Sequence, residues 1–149
     1  MKEYDNLSTF PDVEKALVEL VRNPKVTCVV FSNGTKEMVT NSVQQSEALR
    51  PFSSTFSDIV TVDAIQKYKP APEVYKYLAQ CTGKTGNESA MWLVTGNPFD
   101  VVGARTVGMQ AAWVDRAGNG WQDKLGASPT VIVKGVDDVA AAIEKHTSA

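Results

Sequence analysis

The chain has 149 residues, 43% of them hydrophobic and 21% charged, which is enough for one domain with a sizeable core and too apolar for wholesale disorder. Its formal net charge is −2 with no Lys/Arg run or stripe, so neither a nucleic-acid footprint nor anchoring on an anionic membrane is indicated. No apolar run reaches the roughly 20 residues of a membrane span, and "MKEYDNLSTF" is too polar for a signal peptide, so the expectation is a cytoplasmic protein.

Along the chain, "TFPDVEKALVELVRN" places Val13, Ala16, Leu17, Leu20 and Val21 at helical spacing. "VTCVVF" (26–31) is β-branched and continuously apolar, the pattern of a parallel strand covered on both faces. Gly34 punctuates it, and "TKEMVTNSVQQSEAL" continues as a helix. "DIVTVD" (58–63) reads as a second strand, and "KPAPEVYKYLAQCTG" as a helix opened by prolines and stopped at Gly83. "AMWLVT" (90–95), "QAAWVD" (110–115) and "TVIV" (130–133) complete five strands. Helices at "GNPFDVVGARTVG" and "GVDDVAAAIEKH" and a loop at "GNGWQDKLGASP" connect and close them. Short apolar strands alternating with helices define an α/β chain with a mostly parallel sheet, and no internal domain boundary is visible over residues 1–149. Cys28 and Cys81 have no CxxC neighbour or metal-ligand spacing and read as small core residues in a reducing compartment.

In open parallel sheets, ligands bind beyond the carboxyl ends of the strands. That rule selects three polar clusters: Ser32-Asn33-Gly34 after the first strand, Lys69 after the second, and Thr95-Gly96-Asn97-Pro98-Phe99-Asp100 after the third. Together they supply hydroxyl and amide donors, helix N-terminal N–H groups, one cation and one carboxylate. This is the chemistry of an anion pocket with an acid able to orient water. Each piece also has a plainer use. Ser-Asn-Gly is a strand-to-helix turn with a capping role, a Lys before Pro is commonly solvated, and Asp100 suits the dipole of a first helical turn.

Competing motifs fail. "TGKTG" imitates a phosphate-binding loop, but its required upstream glycine is Leu78 and it follows a helix. The only histidine, His146, lies near the C-terminus, which argues against Ser-His or Cys-His catalysis. No G-x-G-x-x-G is present, and Trp92, Trp113 and Trp121 read as core or loop packing.

Read together, "VVFSNGTKEMV", "VDAIQKYKPAPEVYKYLA" and "WLVTGNPFDVVGARTVGMQAAWVDRAGN" resemble the haloacid dehalogenase superfamily, closest to its 2-haloacid dehalogenase branch. The resemblance runs over nearly the whole chain in order and spacing. It implies a Rossmann-like core and hydrolysis of a small anionic 2-haloacid through an aspartyl-ester intermediate. No metal ion or other cofactor is implied. Ser32 and Asn33 match the pair that binds the substrate carboxylate and accepts the halide. Lys69 matches the lysine that neutralises the nucleophilic aspartate. Thr95, Gly96, Asn97, Pro98, Phe99 and Asp100 stand where the family's S-S-N-x-W-D segment orients water and closes the pocket. From this follow Lys69, Asn97 and Asp100 as catalytic residues, and Ser32, Asn33, Thr95 and Phe99 as substrate-binding ones.

Two departures qualify the resemblance. The superfamily's phosphatases carry a magnesium-holding acidic residue where Gly96 stands, and Gly96 has no ligand atom. Gly96 and Phe99 also differ from the dehalogenase pattern. The larger departure is an absence: no segment fits the D-x-[YG]-G-T-L strand whose Asp is the family's nucleophile. Asp5 has no preceding apolar strand, and Asp63 follows the wrong strand. Residues 1–10 resemble the return from the family's helical cap.

The chain is therefore expected to be an incomplete core, inactive alone, whose central first strand is missing. Several unpaired backbone groups at roughly 1–3 kcal/mol each would rival the stability of a domain. Three resolutions stay open: the inner edges close on each other, a second copy pairs with them as a homodimer, or another chain supplies the segment. Two alternatives to the dehalogenase also stay open, a non-catalytic binding or regulatory protein and a phosphatase of the same superfamily.

Overall fold

A computed structural model describes residues 15–19, 26–45, 56–122 and 127–148. The expected cap remnant at residues 1–10 lies outside them. In chain order the elements are α1 (15–19), β1 (Cys28–Ser32), α2 (Lys36–Gln45), β2 (Phe56–Thr61), α3 (Pro72–Cys81), β3 (Trp92–Thr95), α4 (Pro98–Thr106), β4 (Gln110–Val114), β5 (Val131–Val133) and α5 (Val139–Ser148). This is the alternation of strand and helix that the apolar periodicity predicts. The chain divides into two units, residues 1–66 and 67–149.

In the first unit β1 and β2 run parallel, with Val29 opposite Asp58, Val30 opposite Ile59, Phe31 opposite Val60 and Ser32 opposite Thr61. The register shifts between Cys28 and Val29. Val60, Val62 and Val43 are buried, as are Ala16 and Leu17 of α1. Every residue of β1 is only half-buried, although its unbroken apolar run predicts cover on both faces. A physical reason is the ladder itself: among the described residues β1 pairs with β2 alone.

The second unit holds a three-stranded parallel sheet ordered β3-β4-β5, with Leu93 opposite Ala111 and Trp113 opposite Ile132. β4 is central, and Ala111, Ala112, Trp113 and Val114 are all buried, as a strand paired on both edges and covered on both faces requires. One face packs Val101 of α4 with Ala111, Trp113 and Trp121. The other packs Ala112, Val114, Val133 and Val139, with Trp92, Ala142 and Ile143 closing over them. The tryptophans thus pack in the core and its loops; Trp113 and Trp121 meet edge to face at 5.1 Å between ring centroids. Among the described residues β3 pairs only with β4.

Three sequence expectations shift. β2 begins two residues earlier and ends at Thr61, because residues 62–64 turn into a 3-10 helix. Ser32 is the last residue of β1 rather than the residue after it. Cys81 is exposed, not a core residue. The buried residues of α3 are Val74, Tyr75, Leu78 and Ala79, and Cys81 is the last residue of the helix, beyond them. Cys28 is half-buried, and burial raises its thiol pKa.

Candidate functional site

Each unit presents polar residues at the carboxyl ends of its strands. In the first, β1 ends at Ser32 and the chain turns through Asn33 and Gly34 into α2. The Ser32 Oγ accepts the Gly34 backbone N–H at 3.0 Å, which closes the turn, and Thr35 Oγ1 accepts the Met38 N–H at 3.3 Å, which caps the helix. Asp63, just past β2, reaches the same helix start. Its carboxylate accepts the Thr61 hydroxyl at 2.5 Å and the Lys36 backbone N–H at 3.3 Å. These bonds, the hydroxyl first, hold the Asp63 pKa below its usual value. Ser32 is half-buried and Asn33 exposed.

In the second unit the site is built from two helix starts. Pro72 opens α3 shortly after Lys69, and Pro98 opens α4 shortly after Thr95. Thr95 Oγ1 accepts the Asn97 N–H at 3.1 Å, and the Asn97 carbonyl accepts the Asp100 N–H at 3.1 Å. The turn between β3 and α4 is thereby fixed, and Asp100 is set on the inner side of the first turn of α4. Its carboxylate is the focus of the site. Lys69 Nζ donates to Oδ2 at 3.2 Å, with the two side chains 12% and 4% exposed. The Tyr75 hydroxyl donates to Oδ1 at 2.5 Å. Burial first, then the bond to Asp100 and its charge, drive the Tyr75 phenol pKa far above its usual value, so it stays protonated and donates to Asp100.

The structure thus brings together Lys69 and Asp100, and sets Thr95 and Asn97 on the turn beside them. Asn97 is exposed and Phe99 is 45% exposed at the start of α4. Ser32 and Asn33 belong to the other unit. Gly96 contributes its carbonyl, which accepts the Trp113 indole N–H at 3.2 Å. A Cβ at Gly96 would meet only the Val114 carbonyl, at 3.7 Å, so lack of space does not explain the missing carboxylate.

Sequence reasoning missed Tyr75. Its signal was present: a tyrosine on the apolar face of α3, whose hydroxyl must find a partner once buried. It also missed Asp115, which is buried just past β4 and organises the following loop. Asp115 Oδ1 accepts the Gly118 and Asn119 N–H groups at 3.1 and 3.2 Å, and Oδ2 accepts that of Gly120 at 2.8 Å. A carboxylate followed by Gly-Asn-Gly carries that meaning only once the loop is seen to fold back on it.

Residues 1–114 match the family described as haloacid dehalogenase-like hydrolase. Haloacetate dehalogenase H-2 of Moraxella sp. (strain B) is 33% identical over 138 residues, which are 93% of this chain and 58% of that protein. (S)-2-haloacid dehalogenase 2 of Pseudomonas sp. (strain CBS-3) is 31% identical over 92% of this chain and 56% of its own length. The crystal structure of an L-2-haloacid dehalogenase superposes with a TM-score of 0.84 at 26% identity, covering 96% of this chain and 60% of that one. The chain belongs to the haloacid dehalogenase-like hydrolases, with strong similarity to the 2-haloacid dehalogenases. It spans somewhat more than half the length of the relatives it matches.

Proposed function

We propose that these residues belong to the catalytic core of a 2-haloacid dehalogenase whose covalent catalyst is not among them. The observation that carries the reading is the buried Asp100 carboxylate, held by Lys69 and Tyr75 beside the exposed Asn97 at the carboxyl end of a parallel strand. The second half of the proposal is supported by the share of the relatives that the chain spans, 58% and 56% of their length.

In the complete enzyme an aspartate would attack the carbon bearing the halogen, expelling halide and forming an ester. Ser32 and Asn33 would hold the substrate carboxylate and receive the halide. Lys69 would balance the charge of the nucleophile. Asn97 and Asp100 would orient the water that attacks the ester carbonyl and restores the carboxylate, while Thr95 shapes the turn and Phe99 lines the substrate side. Halide leaves without help from a metal ion, and Gly96 places no carboxylate where a phosphatase would need one. The substrate class is a small 2-haloacid, and the setting is the cytoplasm. Nucleic acid and membrane have no part in the reaction. A homodimer formed through sheet edges is part of the same reading.

Halide release from haloacetate and 2-chloropropionate tests the reading. The 149-residue chain is expected to release none. A version extended with an apolar strand ending in D-x-x-G-T-L and a cap is expected to release halide, and Lys69→Ala in that version to abolish it. Halide release by the present chain would overturn the claim that its catalyst lies elsewhere. An extended, folded version that hydrolyses phosphomonoesters but no haloacid would overturn the dehalogenase assignment.

A further inference from the structure

Gly103 sits in the interior of α4, where glycine is a poorer helix former than alanine. Its backbone needs no glycine, since it is not among the residues with positive φ. Its neighbour supplies the reason. A Cβ at Gly103 would lie 2.6 Å from both the Cζ and the Oη of Tyr75, well inside van der Waals contact and against a ring with no solvent exposure. Gly103 follows Asp100 by three residues, so both lie on the face of α4 that meets α3. The Tyr75 ring crosses the bare backbone at Gly103 and ends with its hydroxyl on Asp100.

We infer that Gly103 is a positioning residue of the site: the missing side chain at this turn of α4 is what allows the Tyr75 phenol to reach and hold Asp100. The catalytic importance of that contact rests on the dehalogenase reading above, but the contact itself does not. A glycine serving only close helix packing would leave the Asp100 carboxylate indifferent to substitution. A positioning glycine couples the two.

The test uses the full 149-residue chain with Gly103→Ala, Tyr75→Leu and the double variant. Urea unfolding gives the folding equilibrium constant, and carbon-13 NMR of the Asp100 side-chain carboxyl reports its partner. Gly103→Ala is expected to lower the folding constant by roughly tenfold or more, as overpacking does, and to shift the Asp100 carboxyl resonance. With Tyr75→Leu already present, Gly103→Ala should be neutral or stabilising and should leave that resonance where Tyr75→Leu put it, a strongly non-additive cycle. If Gly103→Ala alone does not fold, a folded double variant still supports the inference and an unfolded one overturns it. Additive effects, or an Asp100 resonance unmoved by Gly103→Ala, overturn it as well. None of these readouts needs substrate, so their failure leaves the dehalogenase assignment standing, and a failed halide assay leaves the role of Gly103 standing.

Discussion

The two polar sites of this chain are built in opposite ways. The Ser32-Asn33-Gly34 turn is local: its closing bond spans two residues, its helix cap three, and its polar groups are half-buried or exposed. The Lys69-Tyr75-Asp100 cluster is assembled by tertiary packing, from residues 25 and 31 positions apart, with the Asp100 side chain 4% exposed. The contrast teaches where each site's energy resides. A local turn can be kept by its own short sequence. A buried carboxylate persists only while every partner is in place, because an unpaired charge away from water costs several kcal/mol.

Breaking the buried cluster should therefore have the largest effect. Asp100→Ala removes the carboxylate that both Lys69 and Tyr75 hold, and about 3 kcal/mol of stability should be lost. All three tryptophans lie in the same unit, so urea unfolding followed by tryptophan fluorescence reads it directly. A loss below about 0.5 kcal/mol, the range of ordinary surface substitutions, would mean that the cluster is effectively solvated. The local turn should yield far less. Ser32→Ala removes one hydrogen bond to the Gly34 N–H and should cost about 1 kcal/mol, visible by circular dichroism. A cost equal to that of Asp100→Ala would erase the distinction between the two sites.

The smallest expected effect is that of acid on Asp63, whose longer-range contact holds the start of α2. Asp63 is exposed, and the Thr61 hydroxyl and Lys36 N–H hold its folded pKa below the usual 3.8. Its contribution is therefore present above that value and disappears as pH falls through the lowered one. The Lys36 amide shift and the Asp63 carboxyl shift should move together in an NMR titration, with a common midpoint below 3.8. A midpoint at or above 3.8, or a Lys36 amide that does not follow, would show that Asp63 does not anchor α2.

The same contrast explains how far the sequence could be read. Ser32 and Asn33 announce themselves because a polar pair at the end of an apolar run is a one-dimensional signal. Lys69 and Asp100 are each ambiguous alone, one before a proline and one in a first helical turn. Their meeting becomes legible only through resemblance to the family or through the structure. Tyr75 hid inside the apolar stripe of α3, where periodicity counts it as one more core residue. Gly103 carried no signal at all, since its importance is a distance to a side chain 28 positions away. Cys81 is exposed for a related reason: it is the last residue of α3, and apolar character alone does not say where along a helix the packing stops.

By itself the sequence determined the class of the fold and the order of its elements, because apolar periodicity and the punctuation of proline and glycine act over a few residues. It also determined the family, and with it the segments that carry the chemistry. Tertiary structure alone decided that the described strands ladder as a pair and a triplet, that Lys69 and Tyr75 share Asp100, and that Asp115 gathers the loop after β4. These depend on which groups meet once water is excluded, and desolvation is a property of the packed chain rather than of any stretch of it.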